Sequence, residues 1–154
     1  MSITIKYFSA LSEQEAEALI KVPAQITVLI AGADGDIASK EIEMGEKIVN
    51  YRTFTAEVLL HNYYEAVKAR MEEDLNEALD AYVDAPVETL NGLIDALKST
   101  NDILSKLDPD YKNALVISWR SLAKKVAEAQ GGLFGYGSID EAEKKLIDLP
   151  MIEA

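Results

Sequence analysis

The chain has 154 residues, with 27 acidic against 15 basic side chains, a formal net charge of -12, no cysteine and one histidine. That charge repels phosphate backbones and anionic lipid surfaces, so neither nucleic-acid nor membrane-surface binding is expected. Without cysteine there is no disulfide framework and no thiolate chemistry. A single histidine excludes a His-rich zinc site and a pair of Glu-x-x-His di-iron motifs.

Strand signals are nearly absent. Only Ile3-Thr4-Ile5-Lys6-Tyr7 alternates, and it is too short and isolated to build a sheet. Ser12-Glu13-Gln14-Glu15 forms a capping box and opens a first helix over about 12–33. Leu19, Val22, Ile26, Leu29 and Ile30 give it helical period, and Pro23 predicts a kink or a break. Gly35 suits the turn that follows. A second helix is expected over 39–54 with Ser39 as its cap, and a long third over 55–84. The third has an apolar seam of Leu60, Tyr64, Val67, Met71, Leu75, Ala78 and Tyr82. Its other face is acidic, with Glu73, Glu77, Asp80 and Asp84 in line beside Glu72 and Asp74.

Pro86 starts a fourth helix, carried by Leu90, Leu93, Ile94, Leu97, Leu104 and Leu107 and weakened at Ser99-Thr100-Asn101. Asp108-Pro109 starts a fifth, locally basic through Lys112, Arg120, Lys124 and Lys125, ending near Ala129. Gly131 to Ser138 is a loop of glycines and aromatics. Ser138-Ile139-Asp140-Glu141 is a second capping box opening a short last helix with Leu146 and Leu149 on one face. The expected architecture is one all-α domain, a bundle of about five to seven helices over residues 1–154, with 1–11 as an N-terminal extension. No secretory signal, spanning segment or lipidation motif is visible, so a cytoplasmic location is expected.

Two segments carry chemistry of interest. Ala33-Asp34-Gly35-Asp36-Ile37, with Glu41 beyond, has the glycine and glutamate spacing of half an EF-hand loop. Ile30 and Gly32 fall where that loop needs oxygen ligands, so a tight calcium site of that type is rejected. A weak divalent-cation site on Asp34, Asp36 and Glu41 stands beside a simpler reading. In the latter the aspartates bond local amides, Ile37 plugs the core and Glu41 serves the next helix. The glycine-aromatic loop is neither a P-loop nor a dinucleotide fingerprint. In one reading its glycines present amides to an anion, or its aromatics Phe134 and Tyr136 meet a partner protein or a membrane surface; in the other, Leu133 and Phe134 fold back to cap the bundle.

The Ala33-Asp34-Gly35-Asp36-Ile37 turn with Lys40-Glu41 resembles the tellurite-resistance TerB-like proteins. The stretch 122–137, ending Gly131-Gly132-Leu133-Phe134-Gly135-Tyr136-Gly137, is similar to uncharacterised bacterial proteins close to that family. The resemblance touches both ends of the chain and leaves 55–108 unmatched. It implies an all-helical TerB-like fold, a non-enzymatic scaffold or stress-response role, and divalent metal at Asp34, Asp36 and Glu41.

His61 lies between Glu57 and Glu65, but the helical rise spreads these three over about 12 Å, too far for one metal. No Ser-His-Asp arrangement can be assembled, so no enzyme is expected and no cofactor beyond a weak cation. Tyr63, Tyr64, Tyr82 and Trp119 read either as core or as a ligand pocket between helices. The acidic run 72–84 reads as a solvated face or, as in acidic inhibitor and immunity proteins, as a docking face for a basic protein through Glu73, Glu77 and Asp80.

Overall fold

The Ser12 capping box forms as its spacing predicts. Ser12 Oγ accepts from the Glu15 amide at 3.1 Å, and Glu15 Oε1 accepts from the Ser12 amide at 2.9 Å. It opens α1 (Glu13–Gly32). In this computed structural model, residues 5–33, 35, 37–129 and 144–153 are described, and every regular element among them is helical. After α1 come α2 (Ser39–Thr55), α3 (His61–Asp84), α4 (Pro86–Leu104) and α5 (Pro109–Ala129), with 3-10 turns at Lys6–Phe8 and Val58–Leu60.

From Leu19 onward α1 is buried almost all round, and it packs against each of the other four helices. It is the axis of the bundle, not an amphipathic surface helix. Two glycines permit close approach to it. A Cβ at Gly45 of α2 would stand 2.5 Å from the Thr27 side chain, and one at Gly32 would stand 2.9 Å from the Tyr82 ring of α3. Gly35 makes the turn after α1 with a φ of 92°, and Ile37 packs against the core as its position predicted.

Pro23 neither breaks α1 nor goes uncompensated. Its missing N–H deprives the Leu19 carbonyl, one turn earlier, of its helical donor. The Tyr63 hydroxyl of α3 donates to that carbonyl at 2.6 Å, and Trp119 Nε1 of α5 donates to the same hydroxyl at 3.0 Å. Both rings are fully buried. The gap left by the proline thus becomes the point where three helices are joined.

Other element boundaries shift. The third helix starts at His61 and not near 55, because the 3-10 turn Val58–Leu60 reverses the chain after α2. Ser39 lies inside α2, and Ala38 at its cap gives no side-chain hydrogen bond. The polar stretch 99–101 does not interrupt α4. Ser99 and Thr100 return their hydroxyls to the Asp95 and Leu97 carbonyls, and Asn101 reaches out to the C-terminal segment. Leu107 lies beyond α4 yet is buried. Asp108 caps α5 as expected, accepting from the Asp110 and Tyr111 amides at 3.1 and 3.2 Å.

The described segments 5–8 and 149–152 both contribute to the core. Tyr7 stacks on Tyr111 with ring centroids 4.3 Å apart, and Phe8 meets Tyr63 and Tyr111 edge-on. At the other end the expected last helix does not reach Leu149, which is fully buried in a turn with a φ of 48°. Asn101 holds Met151 O and the Glu153 amide, while Arg120 holds Asp148 O and Ile152 O. The second capping box at Ser138 falls outside the described residues.

Removing the Tyr63 hydroxyl strands both the Leu19 carbonyl and the Trp119 N–H, so Tyr63→Phe should cost about 2 kcal/mol or more of unfolding free energy. In a Pro23→Ala background the alanine N–H serves Leu19, and the cost should fall by about 1 kcal/mol. Denaturant unfolding of the double-mutant cycle measures this; strict additivity would refute the relay. The Tyr111 hydroxyl behaves oppositely, being buried with no hydrogen-bond partner among the described residues. Tyr111→Phe keeps the ring stacking and should leave stability unchanged or raise it by up to about 1 kcal/mol.

Candidate interaction surface

On α3 the helical period sorts the acidic run into two directions. Glu72, Glu73, Glu77, Asp80 and Asp84 are exposed, while Asp74 turns inward with Met71 and Leu75. None of the five exposed carboxylates forms an ion pair among the described residues. Asp74 does: Arg70 Nη2 donates to its Oδ1 at 3.3 Å, and Arg70 Nη1 stands 3.9 Å from Glu17 of α1. Glu73, Glu77 and Asp80 therefore share one open ridge, as their spacing implied.

The metal candidates are distributed differently. Asp34 and Asp36 lie outside the described residues, as do Phe134 and Tyr136. Glu41 is fully buried in the first turn of α2, where the helix dipole favours a carboxylate. Its burial follows from the contact one turn further on, where Gly45 brings α2 against Thr27 of α1. Among the described residues, no three His, Asp or Glu side chains come together in a way that could hold a metal ion. His61 directs Nε2 to the Ala56 carbonyl at 2.6 Å and ties the turn before α3.

The aromatic set Tyr63, Tyr64, Tyr82 and Trp119 is buried in the core. Within it lies a group that periodicity did not reveal. Arg52 of α2 is buried, and its Nη1 donates to the Tyr64 hydroxyl at 2.8 Å and to Ser118 O of α5 at 2.7 Å. Tyr64 and Ser118 also share a hydrogen bond of 2.6 Å between their hydroxyls. The Tyr64 phenol is pushed up by burial, with Arg52 opposing, so it stays a neutral hydroxyl in this network. Arg52 sits in a polar stretch of α2, so its pattern in the sequence is that of a surface residue.

A second surface was also not legible. An open groove of about 620 Å³ runs between α2 and α3, edged by Glu43, Glu46, Lys47 and Lys68. Tyr51 and Phe54 form its apolar ledge, 50% and 66% exposed and packed edge-to-face at 5.9 Å. Val58, just beyond, is exposed as well. Along this part of α2 Ile48, Val49 and Arg52 are buried, while Asn50, Tyr51 and Phe54 face outward.

The chain matches no family model, no curated protein and no solved structure. No described helix is long and apolar enough to cross a membrane.

Burial pushes the Asp74 carboxyl above the usual carboxylate range, with Glu77 adding to this, while Arg70 and Lys21 oppose it. The folded protein therefore holds the Asp74 proton more tightly than the unfolded chain, and this group's contribution favours folding at low pH. It is lost as pH rises from about 4 through the folded pKa. Asp74→Asn has no proton to lose. The stability of the wild type minus that of Asp74→Asn should decline over this range, read by denaturant unfolding at several pH values; a flat difference would contradict the assignment.

Proposed function

We propose that this chain is a non-enzymatic helical binding domain whose exposed α3 carboxylates dock a basic protein partner. The observation that carries this reading is the open ridge of Glu72, Glu73, Glu77, Asp80 and Asp84, none with a cationic neighbour in ion-pair contact among the described residues. Like charges at helical spacing repel one another and cost stability. A partner bearing lysines and arginines would relieve that repulsion and be steered to the ridge by its field. The TerB-like resemblance at 33–41 and 122–137 adds a scaffold role in a stress or tellurite response, in the cytoplasm, with Asp34, Asp36 and Glu41 as its metal candidates. Protein contact has the better support of the two, since Glu41 is buried and the ridge is open.

Charge reversal separates the ridge from the rest of the surface. In pull-downs at low salt, Glu73→Lys, Glu77→Lys and Asp80→Lys together should reduce recovery of a basic partner by about tenfold or more, and added salt should do the same to the wild type. Undiminished recovery by a triple variant with wild-type melting temperature would sink the proposal.

A further inference from the structure

The inward turn of Asp74 leaves one of its oxygens unused. The Asp74 side chain is 5% exposed, and Arg70 occupies only Oδ1. Oδ2 accepts no hydrogen bond among the described residues. Asp74 lines a cleft of about 180 Å³ where α1, α3 and α4 meet. Lys21 and Gln25 of α1, Glu77 of α3 and Thr89 of α4 line the same cleft, with Ala78, Ala81 and Leu93 as its apolar lining. Lys21 forms no ion pair among the described residues, and neither Gln25 nor Thr89 uses its side chain in a hydrogen bond there. Lys21 is close enough to act on the Asp74 carboxyl electrostatically. A small cleft thus holds a free carboxylate oxygen, a free ammonium, a free amide and a free hydroxyl.

We infer that this cleft is a binding site for a small zwitterion of the α-amino-acid class. The ligand ammonium donates to Asp74 Oδ2 with Glu77 alongside, and the ligand carboxylate accepts from Lys21 with Gln25 or Thr89. A short aliphatic side chain lies on Ala78, Ala81 and Leu93. Charge decides the class. A bare cation meets Lys21, and a bare anion meets Asp74 and Glu77, whereas a ligand with both charges at short spacing satisfies each wall. Size agrees with a small ligand, since the cleft is only about 180 Å³.

The test uses the full-length protein in solution and follows backbone amide resonances during titration with glycine, alanine and serine. Methylamine and acetate serve as the two halves of the ligand. The expected result is saturable shifts at Ala78, Ala81, Thr89 and Leu93 with at least one amino acid in the millimolar range, and none with either half. Asp74→Asn and Lys21→Met should each weaken binding about tenfold or more. Lys21 is partly exposed, so Lys21→Met tests the site even if Asp74→Asn unfolds the protein. Glu73→Lys with Asp80→Lys, on the outer ridge, should leave binding unchanged, which keeps this site separate from the protein-docking face. Absence of saturation, equal binding of methylamine or acetate, or wild-type affinity in Lys21→Met would overturn the inference.

Discussion

The carbonyl of Leu19 is the point on which the bundle turns. Pro23 removes the donor it would have inside α1, in a part of the helix where no water reaches. An unsatisfied carbonyl there costs about 1–3 kcal/mol, so another element must supply the proton. Tyr63 supplies it, and Trp119 in turn satisfies Tyr63. Local disruption in one helix is thereby converted into a fixed alignment of three. Tyr63 also receives the edge of Phe8, which brings the N-terminal turn into the same cluster.

Around this axis the close contacts are made by small residues and the polar ones by side chains that cross between helices. Gly45 and Gly32 let α2 and α3 approach α1 within the width of a missing Cβ. Arg52 then ties α2 to α3 and α5 through Tyr64 and Ser118. A buried guanidinium without a carboxylate is costly, and its two short hydrogen bonds and the face of the Tyr64 ring, 5.3 Å from the guanidinium carbon, offset part of that cost. Arg120 and Asn101 perform the corresponding task for the C-terminal segment, accepting or donating to backbone groups that no regular element satisfies.

The net charge of -12 is distributed unevenly over this frame. Asp74 is turned inward to Arg70 and the small cleft, and Glu41 is buried under α2. The outward carboxylates of α3 form a continuous ridge. Two acidic side chains adjacent in sequence, Glu73 and Asp74, therefore have different surroundings: one faces solvent, the other is buried beside Arg70 and lines the small cleft. Composition cannot distinguish them, because the difference is a rotation of 100° about a helix axis.

By itself the sequence determined the all-helical class, the capping box at Ser12, the proline starts of α4 and α5, the apolar seams and the outward direction of Glu73, Glu77 and Asp80. These depend on local propensity and on a period of 3.6 residues, both of which are written in neighbouring residues. It could not determine the partner of Leu19 O, the burial of Arg52 and Glu41, the groove beside Tyr51 and Phe54, or the cleft under Asp74. Those depend on which residues distant in the chain meet. Only the packing of α3 and α5 on α1 decided that Tyr63 lies opposite the proline gap, and only the junction of α1, α3 and α4 placed Lys21 and Asp74 around the same small space.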